Sequence, residues 1–229
     1  MKTIGLLGGT GWSSTIEYYR LLNELVAERL GGYHSAKILL KSIDYHDIMV
    51  NYGVNHDDVA KVLEKELQEL IVLKPDCIVI CCNSLHKYYD MIKLNLASDI
   101  PVMHAIQLVA DHLKTKKQKK VLLLATKFTM EDGFFSKILE DNGIQVEIPT
   151  AHEQDKMQKI HVELMHNVVT QESRDYFSNL ITKYKNLDAV VLGCTEYPLV
   201  VNNENSILPV VDPITLQSIS AVNYALGLD

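Results

Sequence analysis

Positive charge is scarce in this 229-residue chain: 22 Lys and Arg stand against 29 Asp and Glu, a formal net charge of −7. Nucleic acids and anionic membrane surfaces are bound chiefly through Lys and Arg, so the balance argues against either partner. The five lysines within residues 114–120 do not reverse this, because in an acidic chain and just ahead of a strand they read as a solvated connection. Long hydrophobic runs are missing too. None approaches the roughly 18–20 residues that span a bilayer, and the N-terminal apolar stretch is broken by Gly8 and Gly9 too soon for a signal-peptide core. No membrane partner and a cytoplasmic location are expected.

The chain also lacks several motifs. Its four cysteines, Cys77, Cys81, Cys82 and Cys194, form no C-x-x-C pair, which argues against a zinc ribbon or a disulfide framework. Nine histidines include no H-E-x-x-H, and His161 and His166 are five apart, so they read as scattered packing and surface residues. Gly8-Gly9-Thr10-Gly11 follows an apolar strand but omits the third glycine of G-x-G-x-x-G, which argues against a dinucleotide site. These absences argue against a dinucleotide cofactor and against a zinc motif.

What is present is an ordinary globular balance, 47% hydrophobic and 22% charged, ample for a core. Apolar runs of strand length at residues 3–7, 36–42, 77–81, 102–103, 120–124, 145–148, 189–192 and 210–211 alternate with longer helical patterns. Those patterns fall at 14–30, 54–73, 85–94, 105–114, 130–142, 153–169, 172–185 and 213–225. Over residues 57–73, Val59, Val62, Leu63, Leu67, Leu70 and Ile71 keep the 3.6-residue period of a helix packed on a sheet. The alternation is the mark of βαβ units and predicts an α/β fold with parallel sheets covered on both faces.

A repeat runs through this pattern. Asp76-Cys77-Ile78-Val79-Ile80-Cys81-Cys82-Asn83 matches Asp188-Ala189-Val190-Val191-Leu192-Gly193-Cys194-Thr195, with Asp76 to Asp188 and Cys82 to Cys194 both offset by 112 positions. Upstream, residues 4–7 have a counterpart in 121–124. Functional loops of parallel sheets lie at the carboxyl ends of strands, so both Cys loops are expected on the equivalent edge of two similar domains. The plain alternative is that each cysteine is a small apolar residue ending a strand, the reading adopted for Cys77 and Cys81.

A thiol ahead of a helix has its pKa lowered from about 8.5 by unpaired backbone N–H groups and the helix dipole. The same N–H groups, with the side chains of Asn83, Ser84 and Thr195, suit a substrate carboxylate. Two thiols flanking one carbon can do what one cannot: the first removes a proton as thiolate and the second returns one to the other face. The outcome is inversion of a stereocentre.

Gly8-Gly9-Thr10-Gly11-Trp12-Ser13-Ser14-Thr15-Ile16-Glu17-Tyr18-Tyr19, Cys82-Asn83-Ser84-Leu85-His86-Lys87 and Gly193-Cys194-Thr195-Glu196-Tyr197-Pro198-Leu199 resemble the cofactor-independent aspartate/glutamate racemase family. The resemblance is collinear over nearly the whole chain. It implies two pseudo-symmetric α/β domains, residues 1–99 with 211–229 and residues 100–210, with the active site in the cleft between them and the C-terminal helix returning to the first. It further implies a homodimer that works on an amino acid without pyridoxal phosphate or metal. Carried over, Cys82 and Cys194 are the proton-transfer pair, while Asn83, Ser84 and Thr195 hold the α-carboxylate. Thr126 and Thr129 form a substrate loop, and Gly9 and Thr10 occupy the related loop of the first domain. Glu196, like His86, lies beside a thiol, and two readings stand level: that it tunes the thiol or contacts the ammonium, or that it is simply buried or solvated.

Two departures from the family pattern bear on the substrate. Thr10 and Gly11 stand where the family commonly has Met and Ser. More consequentially, the Arg and Lys that hold a distal carboxylate in acidic-amino-acid members have no counterpart in residues 43–48 or 162–167, and Met165 stands at the lysine position. An unpaired carboxylate in a closed site costs several kcal/mol. Either His46, His161 or His166 supplies the charge, or the substrate side chain is neutral. Aspartate and glutamate are the first substrates expected. The alternatives are a broad-specificity racemase of neutral amino acids and a protein that binds a small acid without chemistry.

Overall fold

The computed structural model describes residues 1–228. In chain order they form β1 (Ile4–Gly8), α1 (Trp12–Leu30), β2 (Ile38–Ser42), α2 (His46–Met49), α3 (His56–Val72), β3 (Cys77–Ile80), α4 (Leu85–Ile92), α5 (Ala105–Thr115) and β4 (Lys120–Leu124). Then follow α6 (Lys127–Asp132), α7 (Phe134–Asp141), β5 (Gln145–Glu147), α8 (Ala151–Met165), α9 (Gln171–Lys183), β6 (Ala189–Leu192), β7 (Val210–Val211) and α10 (Pro213–Leu226). The chain divides into two compact units, Met1–Ala105 with the segment from Ile214 on, and Ile106–Pro213. All strand pairings are parallel, and the class is the α/β one read from the sequence.

The first unit holds a sheet of order β2-β1-β3. β1 and β3 are buried along their whole length, as strands covered on both faces must be. α3 lays Val59, Ala60, Leu63, Leu67 and Leu70 on this sheet, and each fully buried large side chain contributes about 1.5–3 kcal/mol. Its start is fixed by Asn55, whose side chain accepts from Asp58 N.

The second unit holds a sheet of order β5-β4-β6-β7. It repeats the first bond by bond. Asp76 Oδ2 accepts from Thr3 N just ahead of β1, and Asp188 Oδ2 accepts from Lys119 N and Lys120 N at the start of β4. Ile78 N donates to Pro101 O and Val190 N to Pro209 O, both at 2.9 Å. Cys81 N donates to Leu7 O at 2.9 Å and Gly193 N to Leu124 O at 2.7 Å.

Three expectations are corrected. Residues 102–103 make only an isolated bridge, Ile78 to Val102, where the second unit has the strand β7. The helix expected over 130–142 breaks at Gly133, whose φ of 79° ends α6 and begins α7. The short helix α2 was not expected, because its four residues carry too little periodicity to register.

Candidate active site

Both cysteine loops lie at the carboxyl edge of a sheet, each within its own unit. In the first, Cys82 O accepts from Leu85 N at 3.3 Å and Asn83 O from His86 N at 3.2 Å, so the chain turns from strand into α4 within three residues. Cys82 is 8% exposed, and its Sγ lies 3.4 Å from Ser84 Oγ. The loop after β1 reaches the same strand end, where Thr10 Oγ1 donates to Cys81 O at 3.3 Å. Gly9 makes that approach possible. Its φ is +88°, and a Cβ there would stand 2.2 Å from Ile43 O and 2.6 Å from Ile43 N, backbone atoms that cannot yield.

Asn83 differs from its neighbours. It is 2% exposed, and neither Oδ1 nor Nδ2 has a hydrogen-bond partner among the described residues. Burying such a group unsatisfied costs about 1–3 kcal/mol, a cost that a bound carboxylate or ammonium would offset.

In the second unit Cys194 is 6% exposed, and its thiol donates to Glu196 Oε2 at 3.0 Å. Thr195 Oγ1 donates to the same oxygen at 3.1 Å, and His161 Nε2 on α8 stands 3.6 Å from it. After Cys194 comes a three-residue 3-10 turn, Tyr197–Leu199, rather than an α-helix. The expected thiol ahead of a helix therefore does not apply here, because three residues align too few peptide dipoles. A buried carboxylate faces this thiol instead.

α8 is held in place to present His161. Thr150 and Glu153 form a capping box at its start. Burial works against the charged Glu153, but hydrogen bonds from Lys183, Thr150 and Tyr184 outweigh it and pull the carboxyl down to about 2. On the other side, Tyr197 OH donates to Ala125 O at 3.1 Å and ties the Cys194 turn to the end of β4. Burial, with Cys194 and Glu196 beside it, holds the Tyr197 phenol well above its usual pKa, so it remains a donor. The next residue, Thr126, caps α6 by accepting from Thr129 N, and the two hydroxyls lie 2.9 Å apart.

The first unit thus gathers Gly9, Thr10, Cys82, Asn83 and Ser84, and the second gathers Thr126, Thr129, Cys194, Thr195 and Glu196. Cys77 and Cys81 are fully buried, and burial pushes the Cys81 thiol up. Of the three histidines considered for a distal charge, His46 is exposed on α2 and His166 is exposed with Nδ1 2.8 Å from Val162 O, while His161 faces the thiol's carboxylate. Nothing in the sequence pairs His161 with Glu196, since they come from different elements far apart in the chain. Among the described residues, His161, Cys194 and Glu196 also form a group of donors able to hold a metal ion.

The profile of Asp/Glu/hydantoin racemases matches residues 7–217, a span that takes in both cysteine loops. The chain belongs to that racemase family. Membership makes it an amino-acid racemase. The broad specificity amino-acid racemase RacX of Bacillus subtilis is 22% identical, with 98% of each chain covered. A glutamate racemase of Hydrogenobaculum sp. is 24% identical over 81% of this racemase and 74% of its own length. Among solved structures, an aspartate racemase homologue from Pyrococcus horikoshii matches at a TM-score of 0.86 and 27% identity, covering 99% of this chain and 100% of that one. No helix of the described residues is long and apolar enough to cross a membrane.

Proposed function

We propose that this racemase inverts the α-carbon of an amino acid by exchanging protons between two thiols, with neither pyridoxal phosphate nor a metal taking part. In the free enzyme Cys82 is the base and Cys194 the acid. The Cys82 thiolate takes the α-proton and becomes S–H, and the electron pair left on carbon spreads into the substrate carboxylate. Cys194 gives its proton to the opposite face and is left as thiolate, so one turnover exchanges the protonation states of the pair. Glu196, 3.0 Å from Cys194 Sγ, raises the energy of that thiolate. It thereby makes Cys194 the stronger base when the reaction runs the other way. Asn83, with its open amide, is the first anchor assigned to the α-carboxylate, supported by Ser84, Thr195 and the loops carrying Gly9, Thr10, Thr126 and Thr129.

The observation that carries this reading is the equivalence of the two thiols. Each follows the strand that pairs with the first strand of its unit, at matched positions of a duplicated chain, with a proton-exchanging side chain against its sulfur. The reading needs both thiols at one carbon. In heavy water the inverted product should carry solvent deuterium at that carbon, and a receptor that does no chemistry would leave it untouched. Cys82→Ser and Cys194→Ser should each lower turnover on the order of 10²–10⁴-fold with the circular dichroism of the fold unchanged. Either variant racemising at the native rate sinks the mechanism.

Aspartate and glutamate head the substrates to be assayed. A neutral side chain with broad specificity is the second reading, and the structure gives it a specific reason. His161, the one histidine of the three considered that lies against the cysteine loop, faces the Glu196 carboxylate, which repels a second carboxylate. A homodimer completes the reading. It is supported by Trp12, Ile16 and Tyr19, spaced along one face of α1 and all more than half exposed. Sedimentation should give twice the 25.9 kDa chain mass, and Trp12→Glu should shift it toward the monomer.

A further inference from the structure

We propose that His161, Cys194 and Glu196 bind a borderline-soft divalent cation, best matched by Zn²⁺, and that the bound ion halts racemisation by occupying the Cys194 sulfur. Each side chain offers one donor atom, and the three donors lie within 4.8 Å of one another. α8 supplies the imidazole and the turn after β6 supplies the thiol and the carboxylate, all within the second unit. Sγ to Oε2 is 3.0 Å and Oε2 to Nε2 is 3.6 Å. Donors around a tetrahedral zinc, with bonds of about 2.0–2.3 Å, stand about 3.3–3.7 Å apart, so these two separations fit to within tenths of an ångström, and the sulfur and the imidazole nitrogen, within 4.8 Å of each other, close on the ion as it binds.

Donor chemistry and charge point the same way. A set of sulfur, imidazole nitrogen and one carboxylate oxygen suits zinc, and it does not suit Mg²⁺ or Ca²⁺, which take oxygen ligands. Thiolate and carboxylate together cancel a double positive charge, as a buried cluster requires. Nδ1 of His161 is buried with no hydrogen-bond partner among the described residues, and 3.6 Å from Nε2 to the carboxylate is too long for a hydrogen bond. Among the described residues the imidazole therefore has no hydrogen bond to give up when the ion takes its nitrogen. On binding, the Cys194 S–H bond breaks, its proton passes to solvent and the sulfur electron pair forms the metal bond, with no change of oxidation state.

Ion and α-proton compete for the same sulfur lone pair, so the ion is an inhibitor rather than a partner in turnover. The inhibitory half rests on the role proposed above for Cys194, and the binding half rests on the cluster alone.

The test titrates the full chain with Co²⁺ and reads the near-ultraviolet band of a cobalt–thiolate bond, then displaces cobalt with Zn²⁺. One ion per chain is expected. The band should vanish in Cys194→Ser, persist in Cys82→Ser, and need at least tenfold more metal in His161→Gln and Glu196→Gln. Excess Mg²⁺ should not compete. Racemase activity should fall in step with Zn²⁺ occupancy and return with a chelator. A missing band, one that survives Cys194→Ser, or an affinity unmoved by His161→Gln overturns the site. Binding as described with activity undiminished at full occupancy overturns the inhibition and counts against the catalytic role of Cys194, leaving the metal site standing.

Discussion

Asn83 is buried beside Cys82 with both amide atoms unpartnered among the described residues, an arrangement that costs stability and returns nothing to the fold itself. Leucine has nearly the same shape and no polar atom to satisfy. Asn83→Leu should therefore stabilise the protein by about 1–2 kcal/mol, which in a chain of this size raises the melting temperature by about 2–5 °C. The same change removes a donor to a charged substrate group and should lower kcat/KM about 10–100-fold. Calorimetry and steady-state kinetics on one preparation check both signs. A variant that melts lower with unaltered kinetics would show that the amide serves the fold. At this scale the sequence was legible where spacing spoke and silent where contact did. The 112-position offset marked Cys82 and Cys194, but that Glu196 would turn to its own neighbour's thiol and meet His161 follows only from how α8 packs on the turn.

Elements make a second comparison possible, between two glycines with positive φ. Gly9 lies at +88° with backbone atoms of Ile43 filling the place of a Cβ, whereas Gly133 lies at +79° with nothing within 4 Å of that place. Gly133→Ala should cost only the left-handed strain, about 1–2 kcal/mol. Gly9→Ala adds a clash with the peptide that follows β2 and should cost clearly more, displacing Thr10 from Cys81 O and reducing turnover at least tenfold. Urea midpoints and turnover of the two variants check this, and equal costs would mean that the loop after β1 can move away from Ile43. The same pair shows how far patterning reads. Fully apolar strands and the stripe of α3 were plain because burial writes itself into periodicity. The break at Gly133 was missed because apolar residues continue across it, and α2 because four residues fall below a period.

Across the first unit, the C-terminal helix is held by a buried polar knot that no spacing announces. Gln217 of α10 accepts from Tyr18 OH of α1 and donates to Met103 O at 2.6 Å, and its Nε2 lies 3.3 Å from His86 Nε2. His86 Nε2 also faces Ala105 N at 3.4 Å, an arrangement that assigns the ring proton to Nδ1. The imidazole is fully buried, its ring centroid 4.4 Å from that of His104, and Asp90 lies beyond, 3.3 Å from His104. Burial first, and the charge of His104 second, push the His86 pKa well below its ordinary value. A folded pKa below the unfolded one means that the unfolded chain takes up the proton first. The stability that the neutral ring secures is whole above about pH 6.5, the unfolded value, and is lost as pH falls toward the folded one. One such group gives a slope of at most about 1.4 kcal/mol per pH unit. Urea midpoints at pH 7, 6 and 5 should fall for the native chain and fall less steeply for His86→Gln, whose amide carries no titrating proton. Comparing slopes rather than midpoints separates this effect from any fixed cost of the substitution, and parallel slopes would show that acid enters elsewhere. Protonation of Nε2 turns an acceptor into a donor against Ala105 N–H and the Gln217 amide, so the first expected acid-induced opening frees α10 from α1 and α4. Hydrogen exchange at pH 5 should accordingly show the amides of α10 losing protection before those of β1 and β3.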